Sequence, residues 1–389
     1  MIRRSGVGPR ASLRAGSASR GWAFAVALAA LSGGAAACGP SEAGPTSSGA
    51  TDSATPAASV RASAAVVSAS AVVSASASAA PSSLDPLAGA AILRDATFLA
   101  SPELRGRGSG TPDEARAAAW LIEQLDAIHV DAPLGRSVPF THRGTKSQNL
   151  LAVIGPAPLD HLPDGEVVFL GAHYDHLGVV DGKMYPGAED NASGAALVLA
   201  VTRALMARRA ELRRPVVIAF FGAEEMGLYG SIELVKSWDF VAHPVVTMIN
   251  IDMIGRSLVD QPGLWLAARA IGVLPDLDPD HAVGALVSDG KPAFEARVHA
   301  AASAEGVRAV TADDLPPSIR ETVLAQSKDR GDYAPFQHKG VPFVFFSSSE
   351  SSDYHQPTDT ADKLDPDILG ARAKVVLRFV LDCSTAPAP

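Results

Sequence analysis

The chain has 389 residues, a formal net charge of −9 and only two cysteines. An acidic balance with no basic tract outside the N-terminal leader argues against nucleic acid as a partner, and two cysteines make no disulfide framework. Residues 1–37 read as a secretory signal: Arg3, Arg4, Arg10, Arg14 and Arg20 form the basic region, and Trp22 to Leu31 an apolar core too short to span a bilayer comfortably.

Ala35-Ala36-Ala37 before Cys38 resembles a bacterial lipobox, with Ala35 standing where Leu is usual. Lipid on Cys38 would then be the sole membrane attachment, giving an exported cell-envelope lipoprotein of the periplasm or outer membrane, or a secreted protein if unlipidated. Residues 38–83 are almost wholly Ala, Ser, Val, Thr and Pro, without helical or strand period, and are expected to be a flexible tether. Residues 84–389 remain for one large domain, expected to be a monomer.

In that domain Thr111-Pro112-Asp113-Glu114 predicts a helix start, with Thr111 as cap, Pro112 in the first turn and Glu114 closing a capping box. The helix continues through AAAWLIEQLDAI. Next come the apolar runs NLLAVIG, EVVFLGA, PVVIAFFG, VVTMINID and VPFVFF. Continuous runs rich in β-branched residues suit strands covered on both faces by helices. Ser193 to Arg209 predicts a helix between them, and Asp365-Pro366 caps a last helix ending near Leu381. The expected fold class is α/β: three layers, with a mixed, largely parallel central sheet flanked by helices.

The polar residues worth most attention stand where these runs stop. His173 and Asp175 follow VVFLGA, Glu224 and Glu225 follow VVIAFFGA, and Asp252 ends VVTMINI; Asp190 lies in GAEDNASG and His355 in DYHQPTDT. Open α/β sheets bind ligands beyond the carboxyl ends of their strands, so these segments can meet in one crevice. Each motif alone also suits a turn or a helix cap. Five in order, each ending an apolar run, suit two Zn2+ ions at a co-catalytic separation of about 3.5 Å. Asp190 can bridge them, His173 and Asp252 can serve one ion, and His355 and Glu225 the other. Three carboxylates and a hydroxide then balance four positive charges. Glu224 is left free to take a proton from the attacking water and pass it to a leaving amine. Asp175 can accept the other ring N–H of a ligand histidine and fix its tautomer. This division of labour describes hydrolysis of a peptide or related amide. His176, Tyr174 and Tyr229 are expected to take no direct part, and the remaining histidines are expected to be surface or core residues.

These motifs, together with LASPELRGRGSGTPDEARAAAWL near the start of the domain, resemble the di-zinc exopeptidases of metallopeptidase family 28, over about Leu87 to Leu381. The resemblance implies a phosphorylase/hydrolase-like domain, His173, Asp190, Glu225, Asp252 and His355 as zinc ligands, Glu224 as general acid/base, Asp175 as orienting residue, and peptides as substrates. Gly331-Asp332-Tyr333 departs from the Ser-Asp-His that the family often shows, and Ser257 to Arg330 matches least well and is expected to line the specificity side of the cleft. Aminopeptidase action is expected. Carboxypeptidase or dipeptidase action on the same centre, and a one-zinc glutaminyl cyclase, are the alternatives. Glu189 and Asp353 stand beside ligand segments as candidate acids for a free amine.

Overall fold

The computed structural model describes residues 85–386 apart from 289, 349 and most of 261–271. The expected signal, tether and lipidated Cys38 lie outside the described residues. The chain runs through α1 (Gly89–Leu99), α2 (Pro112–Ala127), β1 (Ser137–His142), β2 (Thr145–Ile154) and β3 (Val167–His173). A small hairpin, β4 (Gly178–Val180) and β5 (Lys183–Tyr185), precedes α3 (Gly194–Ala207), β6 (Val216–Phe221), α4 (Tyr229–Ser237) and β7 (Val245–Ile251). Then follow β8 (Ala282–Val287), α5 (Pro292–Ala304), β9 (Arg308–Thr311), α6 (Pro317–Ser327), the short α7 (Tyr333–Gln337), β10 (Phe343–Ser347) and α8 (Pro366–Thr385).

All the large strands belong to one 8-stranded sheet of order β1-β2-β6-β3-β7-β10-β8-β9. Its centre, β6-β3-β7-β10, is parallel, while β2 against β6 and β8 against β10 are antiparallel. The apolar runs behave as expected: β3, β6 and β10 are buried at every position. Alternate residues serve opposite layers. Val168, Leu170, Ile218, Phe220, Ile249 and Phe346 pack with α1, α2, α3, α5 and α8, whereas Phe169, Val217, Ala219, Phe221, Met248 and Phe345 pack with α4 and α7. At about 1.5–3 kcal/mol for each large apolar side chain fully removed from water, this two-sided burial is the main favourable term in the fold. Gly194 to Leu205, buried at every position but Arg203, fits the same scheme, since α3 is covered on nearly all sides. No helix among the described residues is long and apolar enough to cross a membrane.

Two helix starts test the sequence reading. Asp365 caps α8 through the N–H groups of Asp367 and Ile368, as expected. Thr111 caps α2 through Asp113 and Glu114, but the expected capping box does not close. The Thr111 N–H donates to the Gly108 carbonyl instead, and Glu114 turns inward, 3% exposed. Ser257 to Arg330 builds β8, α5, β9 and α6, the wing beyond β10.

Candidate metal centre

Because the central strands are parallel, their carboxyl ends emerge along one edge. His173 is the last residue of β3, Glu224 and Glu225 lie just past β6, Asp252 directly follows β7, and His355 lies in the segment after β10. Asp190 comes from the irregular turn that opens α3, where its peptide with Asn191 is cis. Asn191 ties that turn to the end of β7. Its side-chain amide donates to the Ile251 carbonyl at 3.0 Å, and its oxygen accepts from Gly194 at 3.0 Å and Met253 at 3.2 Å.

The seven residues singled out in the sequence are all in or beside this cluster. Asp190 faces two ways: Oδ1 is 3.3 Å from His173 Nε2, and Oδ2 is 3.1 Å from His355 Nε2. His173 Nε2 also lies 3.4 Å from Asp252 Oδ1, and His355 Nε2 3.2 Å from Glu225 Oε2. These separations approximate about 3.3 Å, the edge of a tetrahedron with ~2.0–2.1 Å metal–ligand bonds. His173 Nδ1 sits 3.3 Å from the Asp175 carbonyl, which assigns the ring proton there and leaves the Nε2 lone pair facing two carboxylate oxygens. Asp252 Oδ1 and His355 Nε2 are buried without a hydrogen-bond partner. Lone pairs converging on lone pairs, with orphaned buried atoms among them, are what a cation would satisfy, so the residues fit a metal. His173, Asp190 and Asp252 form one candidate group of ligand atoms.

A family profile described as Peptidase family M28 matches residues 149–261 and 285–380, more than half of the chain. The chain belongs to peptidase family M28. A probable leucine aminopeptidase of Trichophyton verrucosum (strain HKI 0517) is 25% identical over 289 residues, spanning 69% of this chain and 67% of that protein. BSAP, a zinc aminopeptidase from Bacillus subtilis, shares the fold with a TM-score of 0.55 at 15% identity, over 78% of this chain and 97% of its own. A glutaminyl cyclase from an Acidobacteriales bacterium shares it with a TM-score of 0.53 at 18% identity, over 80% and 100%.

In this M28 peptidase the carboxylates and histidines of the cluster shift one another's affinity for protons. Burial by itself would lower the His355 ring, but the adjoining carboxylates of Asp190 and Glu225 push it up to about 11. Burial would raise Glu225 and so does Asp190, yet His176 and His355 bring it down to about 2. Burial holds Glu224 well above the carboxylate range, helped by Glu225, Asp332 and Asp252 and opposed by His173. Two cations would reverse the sign of that field and favour the ionised acids.

His176 is the residue the sequence reading undervalued. Its Nδ1 lies 2.7 Å from Glu225 Oε1, which turns the other oxygen of Glu225 toward His355. With Asp190 and Glu225 it forms a second candidate ligand group. Its ring nitrogen is already engaged by Glu225, whereas His355 Nε2 lies almost equally far from two carboxylates, as a ligand would. The available signal was the second histidine of HYDH. Tyr174 points away, its hydroxyl donating to the Gln148 carbonyl at 2.9 Å, and Tyr229 lies against His142. Tyr354 stacks on His355 with ring centroids 3.9 Å apart.

Asp175 does more for the backbone than for the histidine. Its carboxylate is 3.8 Å from His173 Nδ1, but it accepts the N–H groups of Glu224 at 3.0 Å and Glu225 at 3.3 Å and the Ser109 hydroxyl. Asp359, four residues after His355, accepts the N–H groups of Glu189 and Asp190 at 3.0–3.1 Å and so fixes the turn that carries Asp190. Arg107, fully buried, donates to the carbonyls of Tyr174, Leu99, Pro186 and Gly187 and clasps the loops after β3 and before Asp190. Burial lowers its guanidinium to about 10, against the pull of Asp175 and Asp190. Neither candidate amine-binding acid is free. Glu189 accepts from Gly255 at 2.8 and 3.1 Å, and Asp353 pairs with Arg256 at 2.9 Å and Lys363 at 2.7 Å. Asp332, in the departure from the family pattern, is buried with neither carboxylate oxygen in a hydrogen bond, and burial raises it to about 7.

Proposed function

We propose that the protein is a two-zinc aminopeptidase, in which Asp190 bridges the ions, His173 and Asp252 complete one site, and Glu225 and His355 complete the other. The observation that carries this reading is the pair of Asp190 oxygens facing His173 and His355 at 3.3 and 3.1 Å, with Asp252 and Glu225 each beside one of those histidines. Zinc held there lowers the pKa of a water and polarises the scissile carbonyl. Glu224, adjacent to a ligand yet paired with neither histidine and only partly buried, receives the proton of the attacking water and returns it to the leaving amine.

The peptide end follows from charge. The basic residues next to the ligand segments are committed: Arg107 to carbonyls, and Arg256 to Asp260 at 3.0 Å and Asp353 at 2.9 Å. Neither Arg107 nor Arg256 is then left to hold a terminal carboxylate, which favours the amino end of a peptide. The leucine aminopeptidase relative supports the same end. In this reading the leader exports the chain and lipid on Cys38 tethers it to the cell envelope; labelling with a radioactive fatty acid, lost in Cys38→Ala, would support that attachment.

The activity is tested by following a peptide pool by mass spectrometry, each peptide with a free and an acetylated N-terminus, on zinc-loaded protein. Stepwise loss from free N-termini alone, abolished in Glu224→Gln, is the expected result. Trimming from the C-terminus would make it a carboxypeptidase. Release of pyroglutamyl peptides without cleavage would make it a cyclase.

A further inference from the structure

The turn that carries Glu224 is held by two buried carboxylates from distant parts of the chain. Asp175 accepts the N–H groups of Glu224 and Glu225, and Glu114, more than a hundred residues earlier, accepts the N–H of Ala223 at 3.0 Å. Three successive backbone donors thus each meet a carboxylate. Ala223 has φ +54°, a conformation that residues with a side chain rarely adopt, so the turn depends on its surroundings. Gly222 packs closely: a Cβ there would lie 2.3 Å from Ser147 Oγ and 2.8 Å from Glu114 Oε1.

Helix capping does not account for Glu114, because it makes no bond back to Thr111. Its carboxylate instead takes the Ser147 hydroxyl at 2.6 Å and the Gly110 N–H at 2.5 Å. A carboxylate 3% exposed, met by three neutral donors and with another carboxylate, Asp175, as the charge that raises it, is costly to bury. Glu114 also lies outside the residues matched by the family profile, which begin at 149.

We propose that Glu114 is a positioning residue for Glu224. By pinning Ala223 it sets where the turn leaves β6, so that Glu225 reaches the ligand cluster while its neighbour Glu224 stays off it and faces the reacting water. The inference rests on the reading of Glu224 as proton carrier.

The test is a double-mutant cycle on the zinc-loaded full chain, comparing wild type, Glu114→Gln, Glu224→Gln and the double variant for kcat, KM, zinc content and Tm. Gln can place its oxygen toward Ala223 and Ser147, which share Oε1, only by turning an N–H2 on the Gly110 N–H, or the reverse, so one side of the anchor is lost. A misplacement of about 1 Å can cost about 100-fold, so Glu114→Gln should lower kcat 10- to 100-fold, with KM changed less than about threefold and zinc retained. In the Glu224→Gln background the same substitution should change the residual rate less than about threefold, because interacting residues are non-additive. An equal loss in both backgrounds, a loss confined to KM or to zinc content, or an unchanged kcat would each overturn the proposal. Should Glu114→Gln fail to fold, Ser147→Ala, which removes one donor, takes its place with an expected three- to tenfold loss in kcat and the same cycle. Wild-type protein that binds zinc yet cleaves no peptide would instead overturn the peptidase reading on which this rests.

Discussion

The two flanks of the parallel strands β6-β3-β7-β10 are built on different terms. On the β2 side, Arg107, Ser109, Glu114, Ser147 and Asn149 are buried or half-buried, and their hydrogen bonds run to the loops that carry His173, Asp190, Glu224 and Glu225. On the β8 side the interior is an apolar cluster including Leu258, Leu277, Val310, Ile319 and Val323, with its ion pairs, such as His281 with Asp278 and Arg320 with Asp313, at the surface. A deep polar tie on that side, Arg372, donates to the carbonyls of Ala282, Ile254 and Arg256 and fixes strand to helix. Apolar contacts tolerate shifts in side chain and register, whereas a carboxylate that must meet three donors does not. The first flank is therefore where placement of the chemistry is decided, and the second is where the molecule can vary.

The most severe way to probe the first flank is at the acid it positions. Glu224→Gln should lower kcat by about 10³- to 10⁴-fold, with zinc content unchanged by metal analysis; a loss below about tenfold would remove Glu224 from the reaction. Arg107→Met leaves the carbonyls of Leu99, Tyr174, Pro186 and Gly187 without their donor, and thermal or urea unfolding should show a loss of roughly 3–5 kcal/mol.

Next comes a pH effect of about 3 kcal/mol. Burial, then Asp175, raise Glu114 from the ordinary 4.5 to about 7 in the folded chain. The folded protein consequently holds this proton more tightly than the unfolded one, and the stability it contributes is full below pH 4.5 and lost as pH rises through 7. Tyr174 and Asp175 are the other titratable groups that face it. Glu114→Gln should abolish this term, so metal-free wild type should lose stability relative to the variant between pH 5 and 8, read by denaturation midpoints. A constant difference across that range would mean that the acid is ionised or neutral throughout.

Asp359→Asn keeps one acceptor for the bridging turn but loses the charge. A 10- to 100-fold weaker zinc affinity in competition with a chelator is expected, the usual cost of loosening a group that orients a ligand. The smallest effect belongs to the other flank. His281→Ala should change stability by less than about 0.5 kcal/mol and leave kcat alone; a large kinetic effect there would erase the contrast between flanks.

Much of this was legible in the sequence for a physical reason. Runs such as VVFLGA and VVIAFF are apolar at every position because helices cover both faces, and the polar residue that follows each run marks the edge where the site forms. His173, Glu224, Glu225 and Asp252 could be read in this way, while Asp190 and His355 stand in turns away from strand ends. The inward turn of Glu114 could not: S/T-x-x-E is satisfied locally by a capping box, and only contact with Ala223, far along the chain, shows where the side chain goes. Asp175 was chosen to orient a histidine, yet its carboxylate mainly holds backbone, because a neighbouring turn presented two N–H groups closer than the ring. β8 and β9 lie in the stretch where no apolar run announced them, since β8 is a mix of buried and half-buried positions.

The ligand set also has an order in time. His173 comes first from the ribosome, Asp190, Glu225 and Asp252 follow, and His355 comes last, in the segment after β10. In the proposed two-zinc reading, a chain that stops before β10 has Asp190, Glu224 and the braces Glu114 and Asp175, but it lacks Asp359 and one of the histidines that would hold the second ion. In that reading such fragments would be inert, and activity would wait on the segment that follows β10.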